Sequence, residues 1–200
     1  MFVIPTEVPR SFRRAVFARG AMEWRDLLFV FPLNACFIRI TGMPVDIEKF
    51  LAEVRASVSS PGERKEVFQR IADFLRKSGN YRWVGLYHVD HAAGLVENIV
   101  WSGPDAPAYP IFPLTKGLTA SAISFRRTVN VGDVASDPRY LTALGSTRSE
   151  IIIPVFDSVR EKVIGTIDVE SDREHAFNAK TQSVLELVSE ALRPRWPNKS

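Results

Sequence analysis

The segment from Ser149 to Ser171, SEIIIPVFDSVREKVIGTIDVES, decides the fold. An isoleucine-rich run, a connection holding the turn-formers Asp157 and Ser158, and a second β-branched run read as two antiparallel strands. The first run is apolar at both parities, which marks a central strand covered on both faces. The second alternates, placing Val163, Ile167 and Val169 on one face and Ile164, Thr166, Asp168 and Glu170 on the other. Carboxylates on a covered sheet need partners or solvent, so a cavity or an exposed edge is expected on the Asp168 and Glu170 face. Glu150 stands at the start of the first run.

Working outward, TVNVGDV reads as a strand leading to a loop with a short helical turn, DPRYLTAL. Before it, TKGLTASAISFRR reads as a helix of small residues opened by Lys116 and Gly117 and broken near Arg127, and IFPL as a short strand. YRWVGLYHVD and GLVENIVWSG form a hairpin around the turn residues from Asp90 to Gly94. Two amphipathic helices precede them. One runs from Asp46 to Val58 with Ile47, Phe50, Leu51 and Val54 inside; the other starts at Ser60 and Pro61, carries Val67, Phe68, Ile71, Phe74 and Leu75, and ends at Gly79 and Asn80. NAKTQSVLELVSEAL closes the domain as a helix stopped by Pro194. Consecutive strands on short turns with helices at both ends predict an α+β architecture in two or three layers around a central antiparallel sheet.

In the first hairpin strand Trp83, Gly85 and Tyr87 share one side, with Val84 and Leu86 opposite. If that strand neighbours the last two, both ring faces meet Glu150, Asp168 and Glu170, a set suited to a cation or primary amine through charge-assisted hydrogen bonds and cation–π contact. The competing reading leaves these acids at strand ends in water. The helix start at Gly117, Leu118 and Thr119 offers free backbone N–H groups to an anion, and with the acids this suggests a zwitterion such as an amino acid.

Apolar residues make up 46% of the 200 and charged residues 24%, the balance of a globular chain able to bury a core. The net charge of +3 sits wholly before Met43, where Arg10, Arg13, Arg14, Arg19, Arg25 and Arg39 outnumber Glu7, Glu23 and Asp26. The remainder balances, with 20 basic and 20 acidic residues and no basic stripe, so no nucleic-acid partner is expected. Cys36 stands alone, which rules out an intrachain disulfide or a multi-cysteine metal site and suits a reducing, cytoplasmic setting. The apolar patch from Leu27 to Ile38 is interrupted by Pro32 and Asn34, so no membrane span is expected. His88, His91 and His175 form no i, i+4 pair and are expected at the surface.

RWVGLYHVD, PLTKGLTASAI, the DP–Y loop, SEIIIPVF and KVIGTIDVES together resemble the stand-alone GAF domain of free methionine-(R)-sulfoxide reductases, over about Arg64 to Leu192. The resemblance implies a GAF-like fold of the PAS/profilin type, with helices on the faces of its sheet. It implies a ligand pocket walled by Trp83 and Tyr87, with Glu150, Asp168 and Glu170 at the positions of the family's substrate-holding carboxylates. The family's three cysteine positions fall on Tyr109, Thr119 and Ala143. Sulfoxide reduction needs a thiolate nucleophile and a resolving thiol, and none of the three supplies one. The expectation is therefore a small-molecule-binding sensor or binding protein for an amine-bearing metabolite, inactive as a reductase, with Thr119 on the pocket wall and no cofactor or metal. A reductase-like enzyme and a structural dimerisation module are the alternatives. A homodimer is expected by analogy with other GAF proteins.

The domain is expected to occupy residues 43–200, with its core at about 61–194. Residues 1–42 read as an extension, for which three accounts compete: a sequence upstream of a physiological start at Met43, a poorly ordered or partner-dependent arm, or a secretory or lipoprotein signal, which Glu23 and Asp26 oppose.

Overall fold

Hydrophobic stripes on the flanking helices, and period-two alternation on the strands other than the isoleucine run, set how the chain layers. The computed structural model describes residues 37–40, 43–141 and 145–196. All belong to the second of the two units into which the chain divides, residues 35–200. The expectations for residues 1–36, Cys36 among them, and for Ala143 lie outside the described residues.

Strands β1 (Phe37–Ile40) and β2 (Met43–Asp46) pair as an antiparallel ribbon. Asp46 then caps α1 (Ile47–Ser59), accepting hydrogen bonds from the backbone of Glu48 at 3.0 Å and Lys49 at 3.3 Å. These are two of the donors that a helix start leaves without intrahelical partners. Helix α2 (Arg64–Gly79) begins later than Ser60 and Pro61 suggest, because those residues and Gly62 form the turn between the two helices. It ends on Asn80, whose left-handed φ of 48° closes the last turn onto the carbonyls of Arg76 and Lys77.

Strands β3 (Trp83–Asp90), β4 (Leu95–Ser102) and β5 (Ile111–Pro113) form a meander, and α3 (Gly117–Phe125) carries the chain across to β6 (Val129–Val131). A single 3-10 turn (Val134–Ser136) precedes β7 (Ser149–Phe156), β8 (Val163–Ser171) and α4 (Ala179–Leu192). The six strands lie in the order β5-β4-β3-β8-β7-β6, every neighbouring pair antiparallel. The first strand of the hairpin thus lies beside the last strand of the chain, as the sequence argument required.

Helices α1, α2 and α4 cover one face. Phe68, Ile71 and Leu75 of α2 and Val184, Leu185 and Val188 of α4 meet Val84, Leu86, Ile151, Ile153, Ile167 and Val169 in the main core. On the opposite face α3 presses Leu118 and Ala122 onto Ile152. The isoleucine run is therefore buried on both sides, and the α+β architecture stands.

One face assignment fails. The β7–β8 register slips by one, from Val155 opposite Gly165 to Phe156 opposite Val163, leaving Ile164 as the extra residue of a bulge. Val163 consequently joins Trp83 and Tyr87 on the α3 side, while Ile164 packs against the helix-covered core. The bulge lies beside Gly165, where a Cβ would come within 2.0 Å of the Trp196 indole.

Candidate ligand pocket

Alternation along β3 turns Trp83, Gly85 and Tyr87 toward α3, and the absent side chain at Gly85 is what lets the two rings approach. A Cβ there would lie 2.2 Å from the Trp83 ring and 2.9 Å from that of Tyr87. The Trp83 ring is held by a hydrogen bond from Nε1 to the Asp105 carbonyl at 3.2 Å. Its centroid is 6.2 Å from that of Tyr87, which meets Phe112 edge-on at 5.7 Å. Gly85→Ala is expected to drive Trp83 off its site and destabilise the fold by about 1–3 kcal/mol. A shift of the tryptophan emission maximum reports the displacement, and an unchanged spectrum with unchanged stability refutes the packing.

Register sets the acids against these rings. Asp168 stands opposite Gly85 on one side and Ile152 on the other; Glu170 stands opposite Trp83 and Glu150. Glu150 and Glu170 therefore face each other on adjacent strands, an arrangement that repels when both are ionised. All three are buried, at 9% exposure for Glu150, 5% for Asp168 and 3% for Glu170. The reading that left them in water at strand ends is excluded.

Their hydrogen bonding is incomplete. Thr119 Oγ1 donates to Asp168 Oδ2 at 3.2 Å, and Thr147 Oγ1 donates to Glu170 Oε2. The Thr166 hydroxyl stands near Asp168 and helps its charged form, yet no hydrogen bond of ordinary geometry reaches the buried Asp168 Oδ1. Burial pushes the Asp168 carboxyl up to about 7, against the pull of Thr166 and Thr119, and the Glu170 charge adds to the rise. Burial likewise raises Glu150 well above the carboxylate range, reinforced by Glu170 and Asp168. Glu170 rises for the same reason, opposed by Thr147 and Arg82. The Tyr87 phenol is held well above its usual range by burial and then by these three acids.

Together these groups border a hollow of about 440 Å3 including its mouth. Water centres can occupy about 40 Å3 of it, room for a few waters. Trp83, Tyr87, Thr119, Glu150, Asp168 and Glu170, the six residues singled out from the sequence, all line it, and among the described residues no lysine, arginine or histidine does. Tyr109, 48% exposed, marks the mouth. The start of α3 also borders the hollow, through Gly117, Leu118 and Thr119, and Lys116 makes no side-chain cap there. Gly117 has φ +76°, a turn that favours glycine.

Sequence reasoning placed Thr166 on the face of the acids but gave it no role, and it missed Thr147 and Phe112, which carry no periodic signal there and reach the pocket only through the fold. It also misplaced His88, which is buried at 7% exposure because it alternates with Tyr87 and so faces inward beneath the helices. His91 and His175 are exposed as expected. Among the described residues no cluster of three His, Cys, Asp or Glu side chains is arranged to hold a metal ion.

A twisted antiparallel sheet with helices on one face and a small, acid-lined hollow under a short helix on the other defines a small-molecule-binding fold. The chain belongs to the GAF family, whose domain model matches residues 63–193. A curated relative, GAF domain-containing protein A of Dictyostelium discoideum, is 24% identical over 145 residues, 72% of this chain and 89% of that protein. The fold superposes with a TM-score of 0.69 on a free methionine-R-sulfoxide reductase from Neisseria meningitidis solved with its substrate, at 25% identity over 75% of this chain and 87% of that one. It is similar also to a type II free methionine-R-sulfoxide reductase from Thermoplasma acidophilum, with a TM-score of 0.61 and 30% identity over 66% of this chain and 94% of that one. The branch resemblance therefore holds without the cysteines that go with it. The single cysteine, Cys36, precedes the matched segment.

Proposed function

We propose that this GAF domain is a receptor for an amine-bearing metabolite such as a free amino acid, and that it binds without reducing its ligand. The observation that carries the reading is Asp168 Oδ1, buried without a hydrogen bond on the wall of a hollow lined by three carboxylates and, among the described residues, by no cationic side chain. A buried carboxylate left in this state is costly until a cation reaches it. An ammonium group supplies that charge and donates hydrogen bonds, with Trp83 and Tyr87 as ring walls. The start of α3 offers N–H groups to a ligand carboxylate. Because the hollow as it stands holds only a few waters, a ligand of amino-acid size enters with outward movement of the side chains at its mouth.

A thermal-shift screen of free amino acids and small amines tests this. Ligands of the native state raise the melting temperature by mass action, about 2.7 kcal/mol of stability at a hundredfold excess over Kd. The expected result is a shift for a subset of amines that Asp168→Ala abolishes. A flat response to every amine, or one that survives Asp168→Ala, refutes the proposal.

The likeness to sulfoxide reductases favours a second reading, in which the same pocket takes free methionine sulfoxide and reduces it. Sulfur attack needs a thiolate, and the hydroxyl of Thr119 has far too high a pKa to replace one. That reading leaves Cys36 and an external thiol as the only reductants. Incubation with free methionine sulfoxide and dithiothreitol is expected to give no methionine above the protein-free rate. Turnover that disappears in Cys36→Ser establishes the enzyme instead.

A further inference from the structure

A second, wider hollow, of about 960 Å3 including its mouth, opens at the other end of α3, between the α3–β6 connection, the end of β7 and α4. Its chemistry is opposite to that of the acid-lined pocket. Arg126 and Arg160 lie over the ring of Phe156, at 5.9 and 4.9 Å from its centroid, and Arg126 donates a hydrogen bond to the Arg160 carbonyl. Arg127 lies over Phe125 at 5.4 Å. Stacking holds a guanidinium plane in place while leaving its in-plane N–H groups available for a bidentate carboxylate.

The acids in the same walls are already engaged. Glu190 pairs with Arg160 and with Arg193, and Glu186 accepts from Thr128 Oγ1 at 2.6 Å and Gln182 Nε2 at 2.9 Å. Among the described residues no carboxylate pairs with Arg126 or Arg127, both exposed. Around them stand large apolar side chains in water: Phe125 at 60% exposure, Val159 at 67% and Leu187 at 46%. Exposed apolar surface beside unpaired arginines is the composition of a protein–protein contact.

We propose that this groove docks an acidic peptide segment of a protein partner, with its carboxylates on Arg126 and Arg127 and an apolar side chain against Phe156 and Leu187. A small anion would leave the apolar rim uncovered. A phosphodiester strand would run against Glu186 and Glu190 and find no continuing row of cations. The helix that begins at the amine pocket ends at this groove, so a docked partner and a pocket ligand touch the same element.

The test is a fluorescence-anisotropy panel of synthetic twelve-residue peptides, each with several glutamates and one phenylalanine or leucine at varied spacing. Glutamine-substituted copies and a single-stranded oligonucleotide of matching charge serve as comparators. A subset of the acidic peptides is expected to bind saturably, at least tenfold tighter than the glutamine copies. Arg127→Glu, at an exposed arginine whose guanidinium lies over the exposed ring of Phe125, is expected to weaken that binding at least tenfold with an unchanged melting temperature. Arg126→Lys, which keeps the charge and loses the planar fork, is expected to weaken it less. Absence of binding by every acidic peptide, equal binding of the glutamine copies, indifference to Arg127→Glu, or tighter binding of the oligonucleotide each overturns the proposal.

Discussion

At pH 8, Asp168→Asn is expected to make the ligand-free protein more stable than wild type while removing its capture of amines. Burial moves the Asp168 carboxyl from 3.8 up to about 7 in the folded state. Between those values the native protein holds a proton that the unfolded chain has released, so native stability falls as pH rises through that window. Below about pH 4 both states are protonated and the penalty is absent; above about pH 8 it is complete, on the order of 4 kcal/mol. Asparagine removes the titration and still offers Thr119 an acceptor, so the variant equals or exceeds wild type at pH 8 and loses that margin toward pH 4. Its affinity for an ammonium ligand is expected to fall by at least about 30-fold, since breaking a buried, hydrogen-bonded charge pair costs about 2–5 kcal/mol. Chemical denaturation at pH 4 and pH 8 checks the first effect. A variant less stable than wild type at pH 8 would show that Asp168 is already neutralised in the folded state.

The second large effect lies at the end of the chain. Trp196, 4% exposed, packs its ring 4.8 Å from that of Phe68 and over Gly165. Arg195 beside it donates to the carbonyls of Val58 at 2.9 Å and Ser60 at 2.8 Å, tying the chain end to the α1–α2 turn. Trp196→Ala is expected to cost about 3–5 kcal/mol, the range for emptying a buried aromatic site. Trp196→Phe keeps an aromatic ring, a smaller one, and removes Nε1, which is buried without a hydrogen bond. Relief of that unsatisfied donor, worth about 1–3 kcal/mol, offsets most of the lost packing. The phenylalanine variant is therefore expected within about 1 kcal/mol of wild type in urea denaturation. A change below 1 kcal/mol for Trp196→Ala would show that the ring does not complete the core.

These two residues mark where the sequence was legible and where it was not. Asp168 announced itself because alternation is a strong signal: Val84, Leu86, Ile167 and Val169 fix the helix-covered face, and their neighbours must point the other way. The same logic placed Trp83 and Tyr87 beside the acids once β3 and β8 were assumed adjacent. Trp196 was invisible, since a tryptophan two residues beyond the helix-stopping Pro194 belongs to no periodic element and is buried only by tertiary packing. Val163 was misassigned because a bulge inserts one residue without altering the composition of the strand. His88 shows the limit of judging a side chain by type, for its position on β3 outweighed its polarity. The second groove escaped for a related reason: Arg160 lies more than thirty residues from the Arg126–Arg127 pair in sequence, and only the fold brings all three to one groove, with Arg126 and Arg160 over Phe156.

The most direct measurement is isothermal calorimetry of free amino acids and simple amines against wild type and Asp168→Asn, at pH 6 and pH 8 in two buffers of different ionisation enthalpy. An ammonium group that re-ionises Asp168 must displace a proton as it binds. Affinity is then greater at pH 8 than at pH 6, protons are released to the buffer at the lower pH, and the variant gives no saturable heat. Binding that is stronger at pH 6, that releases no proton, or that persists in Asp168→Asn would contradict a cation-seeking pocket.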